Sequence, residues 1–173
     1  MFDIVSFFPR AVMQGVPLLF GGTGEIITEK SGNLNLGIPG IMYVGGICGV
    51  IGAFLYEQSA AELNSFLAVA IPMLSCLLGS LLMGLLYCFL TVTLRANQNV
   101  TGLALTIFGS GLAKFFGTFI IPKGTTTVKA AFANRIFSAA IATESPVLKI
   151  FLGHGFMMYL ALVVAIAMGY FLK

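Results

Sequence analysis

The chain has 173 residues, of which 58% are hydrophobic and only 9% charged, and its mean hydropathy is +1.02. A soluble domain carries about 25% charged residues because its surface faces water. This composition therefore excludes a soluble globule, a disordered chain and a disulfide mini-protein, and it marks a polytopic membrane protein. The net charge of +3 is too small and too scattered to suggest a nucleic-acid partner.

In chain order, Met1 to Phe8 holds Asp3 and no basic n-region, so no cleavable signal is expected. Residues 11–24 are uncharged but short for a span of about 20 residues. Including Ile26 and Ile27 would place Glu25 at the membrane edge. Residues 36–56 read as a spanning helix. There Ile41, Val44, Cys48, Ile51 and Leu55 recur at helical spacing and suit lipid. Gly45, Gly49, Gly52 and Ala53 fall on another side, where a neighbouring backbone can approach closely. Residues 63–94 predict a further helix, with Pro72 in its first turn and an end near Leu94. Residues 96–113 are uncharged but rich in glycine, and Lys114 interrupts before Phe115 to Ile121. A last span covers 150–172, with Ala161, Ala165 and Gly169 as a small-residue ladder. The expectation is an all-α, polytopic transmembrane helical bundle of about five membrane segments, one of them broken or re-entrant.

The loops set an orientation. Glu57 and Glu62 lie in a loop without Lys or Arg, which fits the outside, and Arg95 and Lys173 then fall inside. The same count puts 122–149 outside, although it holds Lys123, Lys129, Arg135 and Lys149 against Glu144. Either that loop departs from the positive-inside rule or 97–121 is re-entrant.

Enzyme and metal signatures are missing. Cys48, Cys76 and Cys88 lie in apolar runs, and the single His is His154, so no zinc spacing forms. No Gly-x-x-x-x-Gly-Lys-Ser/Thr occurs, and Ile27 stands where a dinucleotide fingerprint starting at Gly22 needs its third glycine. Phe108-Gly109-Ser110-Gly111 lacks the first glycine of an intramembrane serine protease motif. We expect no catalytic residue, no metal, no cofactor and no enzyme.

Two polar stretches stand out. Gly24 to Gly40 carries glycines, a proline and two asparagines just before a span. Such backbone is tolerated at membrane depth where protein covers it or a cavity adjoins it; otherwise it is a solvated loop with a helix starting at Pro39. The second stretch is Arg95 to Thr106. On a helix from Asn99, one face reads Asn99, Gly102, Thr106, Ser110, Ala113 and Gly117, and the other Leu105, Phe108, Leu112, Phe115 and Phe119. A polar face in hydrocarbon must point into the bundle or a wet pathway, and interrupted membrane helices often adjoin transport sites. Helix–helix hydrogen bonding by Thr and Ser is the alternative.

These stretches resemble motifs of the permease subunits of ATP-binding-cassette importers of the branched-chain amino acid and simple-sugar class, closest to the sugar and nucleoside branch. The first match is Glu29-Lys30-Ser31-Gly32-Asn33-Leu34-Asn35-Leu36-Gly37-Ile38, followed by Gly40 and Met42. The second is Leu94-Arg95-Ala96-Asn97-Gln98 with Val100 and Gly102-Leu103-Ala104-Leu105-Thr106. A weaker third runs from Ser145-Pro146-Val147-Leu148 to Tyr159-Leu160-Ala161-Leu162. Pro39 departs from the family's usual Glu. The basic docking segment of the family's later half has no counterpart, so 1–173 is expected to be a single transmembrane domain, the N-terminal part of a longer permease.

The resemblance implies a second permease subunit, ATPase subunits, an extracytoplasmic substrate-binding protein and membrane lipid as partners, in the plasma membrane of a prokaryote. It implies a gated path for a small polar solute such as a sugar or nucleoside. Asn97, Gln98, Asn99, Thr101, Thr106 and Ser110 are the candidates near that path, with Asn33 and Asn35 at its inner end. These side chains can hydrogen-bond a hydroxylated, uncharged solute. The rival is a stand-alone carrier or channel without an ATPase. Such a carrier would need a coupling-ion carboxylate inside the membrane, and the apolar segments supply none.

Overall fold

The computed structural model describes residues 4–59, 64, 66–120 and 154–173. The basic stretch 122–149, the Ser145-Pro146 motif and Glu62 lie outside the described residues. Among those described there are five α-helices and no strand. They are α1 (Ile4–Lys30), α2 (Ile38–Ser59), α3 (Leu67–Cys88), α4 (Gln98–Ile120) and α5 (Phe156–Phe171), with a π-helical turn at Phe89–Thr93 closing α3. Three stretches are long and apolar enough to cross a membrane: Ile38–Ser59, Leu67–Thr93 and Gln98–Thr118. The chain is an all-α, multi-pass membrane protein.

The chain divides into two compact units, residues 1–27 with 132–173, and residues 28–131. In the first unit, α1 carries Arg10, Pro9 and Pro17 inside one continuous helix, so the short 11–24 segment extends well past both of its expected ends. α5 has 16 residues, shorter than a full span. Of its small-residue ladder, Ala161 is buried, whereas Gly169 faces open space.

The second unit holds the core. Met83, Tyr87 and Leu105 are buried together, with Ile41, Val44 and Leu90 packed against them. α2 is the central helix, packed along both α3 and α4, while α3 and α4 touch each other little. Glycine makes this possible. A Cβ at Gly49 would stand 3.3 Å from both Cys76 Cβ and Pro72 O of α3, and one at Gly79 would stand 2.6 Å from Cys48 Sγ. A Cβ at Gly40 would fall 2.7 Å from Thr106 Cα of α4, and one at Gly109 would fall 2.8 Å from Gly40 Cα.

The glycine side of α2 therefore packs as its spacing predicts. The Ile41–Val44–Cys48 side does not face lipid: Ile41 and Val44 lie against the core, and Cys48 lies against Gly79. A helix between two neighbours has two covered faces, and helical spacing alone shows only that the faces differ. Leu105 is corrected in the same way, from the apolar outer face of α4 to the core, at 4% exposure. Phe108 and Phe115 of that expected face are well exposed, and Val100, Leu103 and Ile107 are exposed beside them.

Pro72 is the sixth residue of α3 rather than part of its first turn, and it is fully buried. Asn64 prepares this earlier start: its Oδ1 accepts from Phe66 N–H at 3.0 Å, and its own N–H donates to Tyr56 Oη at 3.1 Å. Between them, α2 and α3 thus close over a short connection. α4 runs unbroken through its glycines, because Gly102 and Gly109 are occupied by the backbone of Leu36 to Gly40. The break in this region falls before α4, at Leu94 to Asn97, where Arg95 has φ of 53°.

Candidate solute-path site

The N-terminal end of α2, the C-terminal end of α3 and the first half of α4 meet around Asn33 to Gly37. Local capping shapes that segment. Gly32 has φ of 82°. Gly32 N–H donates to Glu29 O at 2.9 Å and Asn33 N–H donates to Thr28 O at 3.1 Å. This pair of bonds is a Schellman end for α1, which needs a left-handed residue at Gly32. Three residues on, Asn35 opens α2: its Oδ1 accepts from Gly37 N–H at 2.9 Å, as an N-cap asparagine does. Asn35 is 5% exposed, and Gly37 and Gly40 are buried. Of the two readings of the Gly24–Gly40 stretch, its later part is the one covered by protein.

Both neighbours reach into this segment. Tyr87 Oη of α3 donates to Leu34 O at 3.1 Å and to Asn33 Oδ1 at 3.3 Å. Thr106 Oγ1 of α4 donates to Leu36 O at 2.8 Å. Thr91 Oγ1 donates to Tyr87 O at 2.9 Å, one turn back along α3. At Gly102 a Cβ would stand 2.8 Å from Gly37 N and 2.9 Å from Leu36 N, so α4 lies flat on the segment.

The structure thus brings Asn33, Asn35 and Thr106 together at one end of the bundle. Thr101 is buried on the same half of α4. Asn97 starts that helix, its Oδ1 accepting from Asn99 N–H at 3.0 Å and from Val100 N–H at 3.2 Å. Gln98 and Asn99 are exposed in the first turn of α4. Ser110 is apart from this group: it is half-buried about one turn beyond Thr106, and its Oγ donates to Ile107 O at 2.9 Å.

Tyr87 is the residue that sequence reasoning missed. A signal for it existed. A tyrosine inside an apolar run must find a partner for its hydroxyl, and Thr91 stands one turn away on the same helix.

No family model and no solved structure matches the chain. Curated relatives do. The chain is 32% identical over 115 residues to a protein of Haloferax volcanii provisionally named a glucose ABC transporter permease, covering 66% of this chain and 32% of that protein. It is 25% identical over 118 residues to a guanosine ABC transporter permease protein of Bacillus subtilis, covering 68% of this chain and 36% of that protein. It is 28% identical over 166 residues to a nucleoside ABC transporter permease protein of Lactococcus lactis, covering 93% of this chain and 50% of that protein. The chain spans a third to a half of the length of these relatives. Its polar end, its covered glycine backbone and its apolar spans are those of a membrane protein whose curated relatives are sugar and nucleoside ABC transporter permeases.

Proposed function

We propose that this chain is part of the membrane-spanning permease of an ATP-binding-cassette importer for a small polar, uncharged solute, a sugar or a nucleoside. It is not itself an enzyme. The observation that carries the reading is the likeness to three permeases with glucose, guanosine and nucleoside in their names. In this reading 1–173 is a single transmembrane domain, the N-terminal part of the permease. It works in the plasma membrane of a prokaryote with a second permease subunit, ATPase subunits and an extracytoplasmic substrate-binding protein.

Asn97, Gln98, Asn99, Thr101, Thr106 and Ser110 line or adjoin the solute path, and Asn33 and Asn35 lie at its inner end. The occupied side chains order the path: Asn35 and Asn97 cap helices, and Thr106 ties α4 to the segment before α2. Asn99, like Gln98, is a polar side chain exposed at the start of α4, where it can meet solute.

The test is uptake of labelled guanosine and labelled glucose by the assembled transporter containing the chain. Asn99→Leu should lower uptake at least about tenfold, since a lost hydrogen bond to solute in a dry path costs about 1.5 kcal/mol or slightly more. Cys76→Ala removes only the Sγ that packs against Gly45 and should leave uptake within about twofold. Equal uptake by both variants would remove Asn99 from the path.

A further inference from the structure

We infer that Cys48 and Cys76 form a dithiol pair across the seam between α2 and α3, a site of reversible oxidation to a disulfide within the chain. Each thiol sits where the opposite helix has glycine. A Cβ at Gly79 of α3 would stand 2.6 Å from Cys48 Sγ and 2.8 Å from Cys48 Cβ. A Cβ at Gly45 of α2 would stand 3.4 Å from Cys76 Sγ, and one at Gly49 would stand 3.3 Å from Cys76 Cβ. Gly45 and Gly49 flank Cys48 along α2, and Gly79 lies one turn from Cys76 along α3. The two cysteines are therefore neighbouring knobs in one stretch of the seam.

The backbones are close enough for the bond. The Cβ position at Gly49 is 4.0 Å from Cys76 Cα, so the helices approach there to the range a disulfide spans, with Cα atoms about 4.4–6.8 Å apart. The two thiols also feel each other: ionising one acts on the other. Both are half-buried and reduced. The third cysteine, Cys88, is exposed at the far end of α3 and belongs to no such pair.

Depth selects the oxidant. Cys48 and Cys76 lie near the middle of helices of 22 residues each, in stretches apolar enough to cross a membrane. Hydrocarbon keeps charged oxidants out, so the reactant is a small, uncharged hydroperoxide. One sulfur attacks the O–O bond, which gives a sulfenic acid and releases an alcohol. The second sulfur then attacks the sulfenic sulfur, the S–S bond forms and water leaves. The peroxide takes up the two electrons lost by the two sulfurs, and the thiol protons leave in the alcohol and the water. A dithiol reductant reverses the step by exchange. The bond adds a covalent tie to a seam that packing already holds.

The experiment treats the reduced full chain in lipid nanodiscs with tert-butyl hydroperoxide. The chain should lose the mass of two hydrogen atoms, and its free thiols should fall from three to one. Peptide mapping should join the Cys48 and Cys76 peptides, and dithiothreitol should restore all the thiols. The oxidised chain should also melt at a higher temperature, because a cross-link restricts the unfolded chain. Cys88→Ser should form the same bond, whereas Cys76→Ser and Cys48→Ala should form none. Retention of all three thiols, a gain of oxygen mass without a cross-link, or a bond through Cys88 in the unsubstituted chain would overturn the pair.

Discussion

Glycine at two positions carries a very close backbone approach among the described residues. Gly40 and Gly109 lie where α2 meets α4: a Cβ at Gly109 would enter the backbone of Gly40, and one at Gly40 would enter the backbone of Leu105 and Thr106. Gly46 lies on the same helix as Gly40 and would meet nothing within 4 Å. Gly40→Ala should therefore cost about 1–3 kcal/mol, the range for overpacking a filled seam. Gly46→Ala should leave stability unchanged or slightly raised, because alanine is the better helix former. Thermal unfolding in detergent distinguishes the two; equal melting temperatures would mean that the seam can open without cost. These positions were partly legible in the sequence. The glycine side of α2 was evident from its spacing, but which helix would fill it was not, since spacing within one helix says nothing about its neighbours. The same gap put Ile41, Val44 and Leu105 toward lipid, although they adjoin Met83 and Tyr87.

Helix ends obey local chemistry, but their caps were not read from the residues alone. Asn97 before α4 and Asn35 before α2 are capping residues, where the sequence suggested only polar side chains near a path and helices starting from Asn99 and at Pro39. The end of α3 was legible in position, near Leu94, but not in form. Its π-turn and the left-handed Arg95 arise where α3 must finish under the segment held by Tyr87, a contact more than fifty residues away in the chain. Glycine at that position would satisfy the same helix end without a Cβ penalty. Arg95→Gly should accordingly stabilise the protein by about 1 kcal/mol, seen as a higher melting temperature. A lower one would show that the guanidinium makes contacts worth more than the strain.

The described residues present three helices able to cross a membrane and a polar end where α2, α3 and α4 converge. That architecture was legible from composition and from the uncharged runs, because hydrocarbon tolerates so few alternatives to helices. The candidate path was legible only as a list of polar residues. The structure adds that several of them already hold helix ends and seams, a use no spacing pattern reveals. Under the proposed function, solute movement through the importer that contains this chain is driven by an ATPase rather than by an ion gradient. The direct measurement is uptake of labelled nucleoside or sugar into proteoliposomes bearing the assembled transporter with its binding protein, with and without ATP on the ATPase side. Uptake is expected only when ATP and the binding protein are both present, and none on imposing a sodium or proton gradient alone. Uptake driven by such a gradient without ATP would contradict the proposed function and make the chain part of a stand-alone carrier.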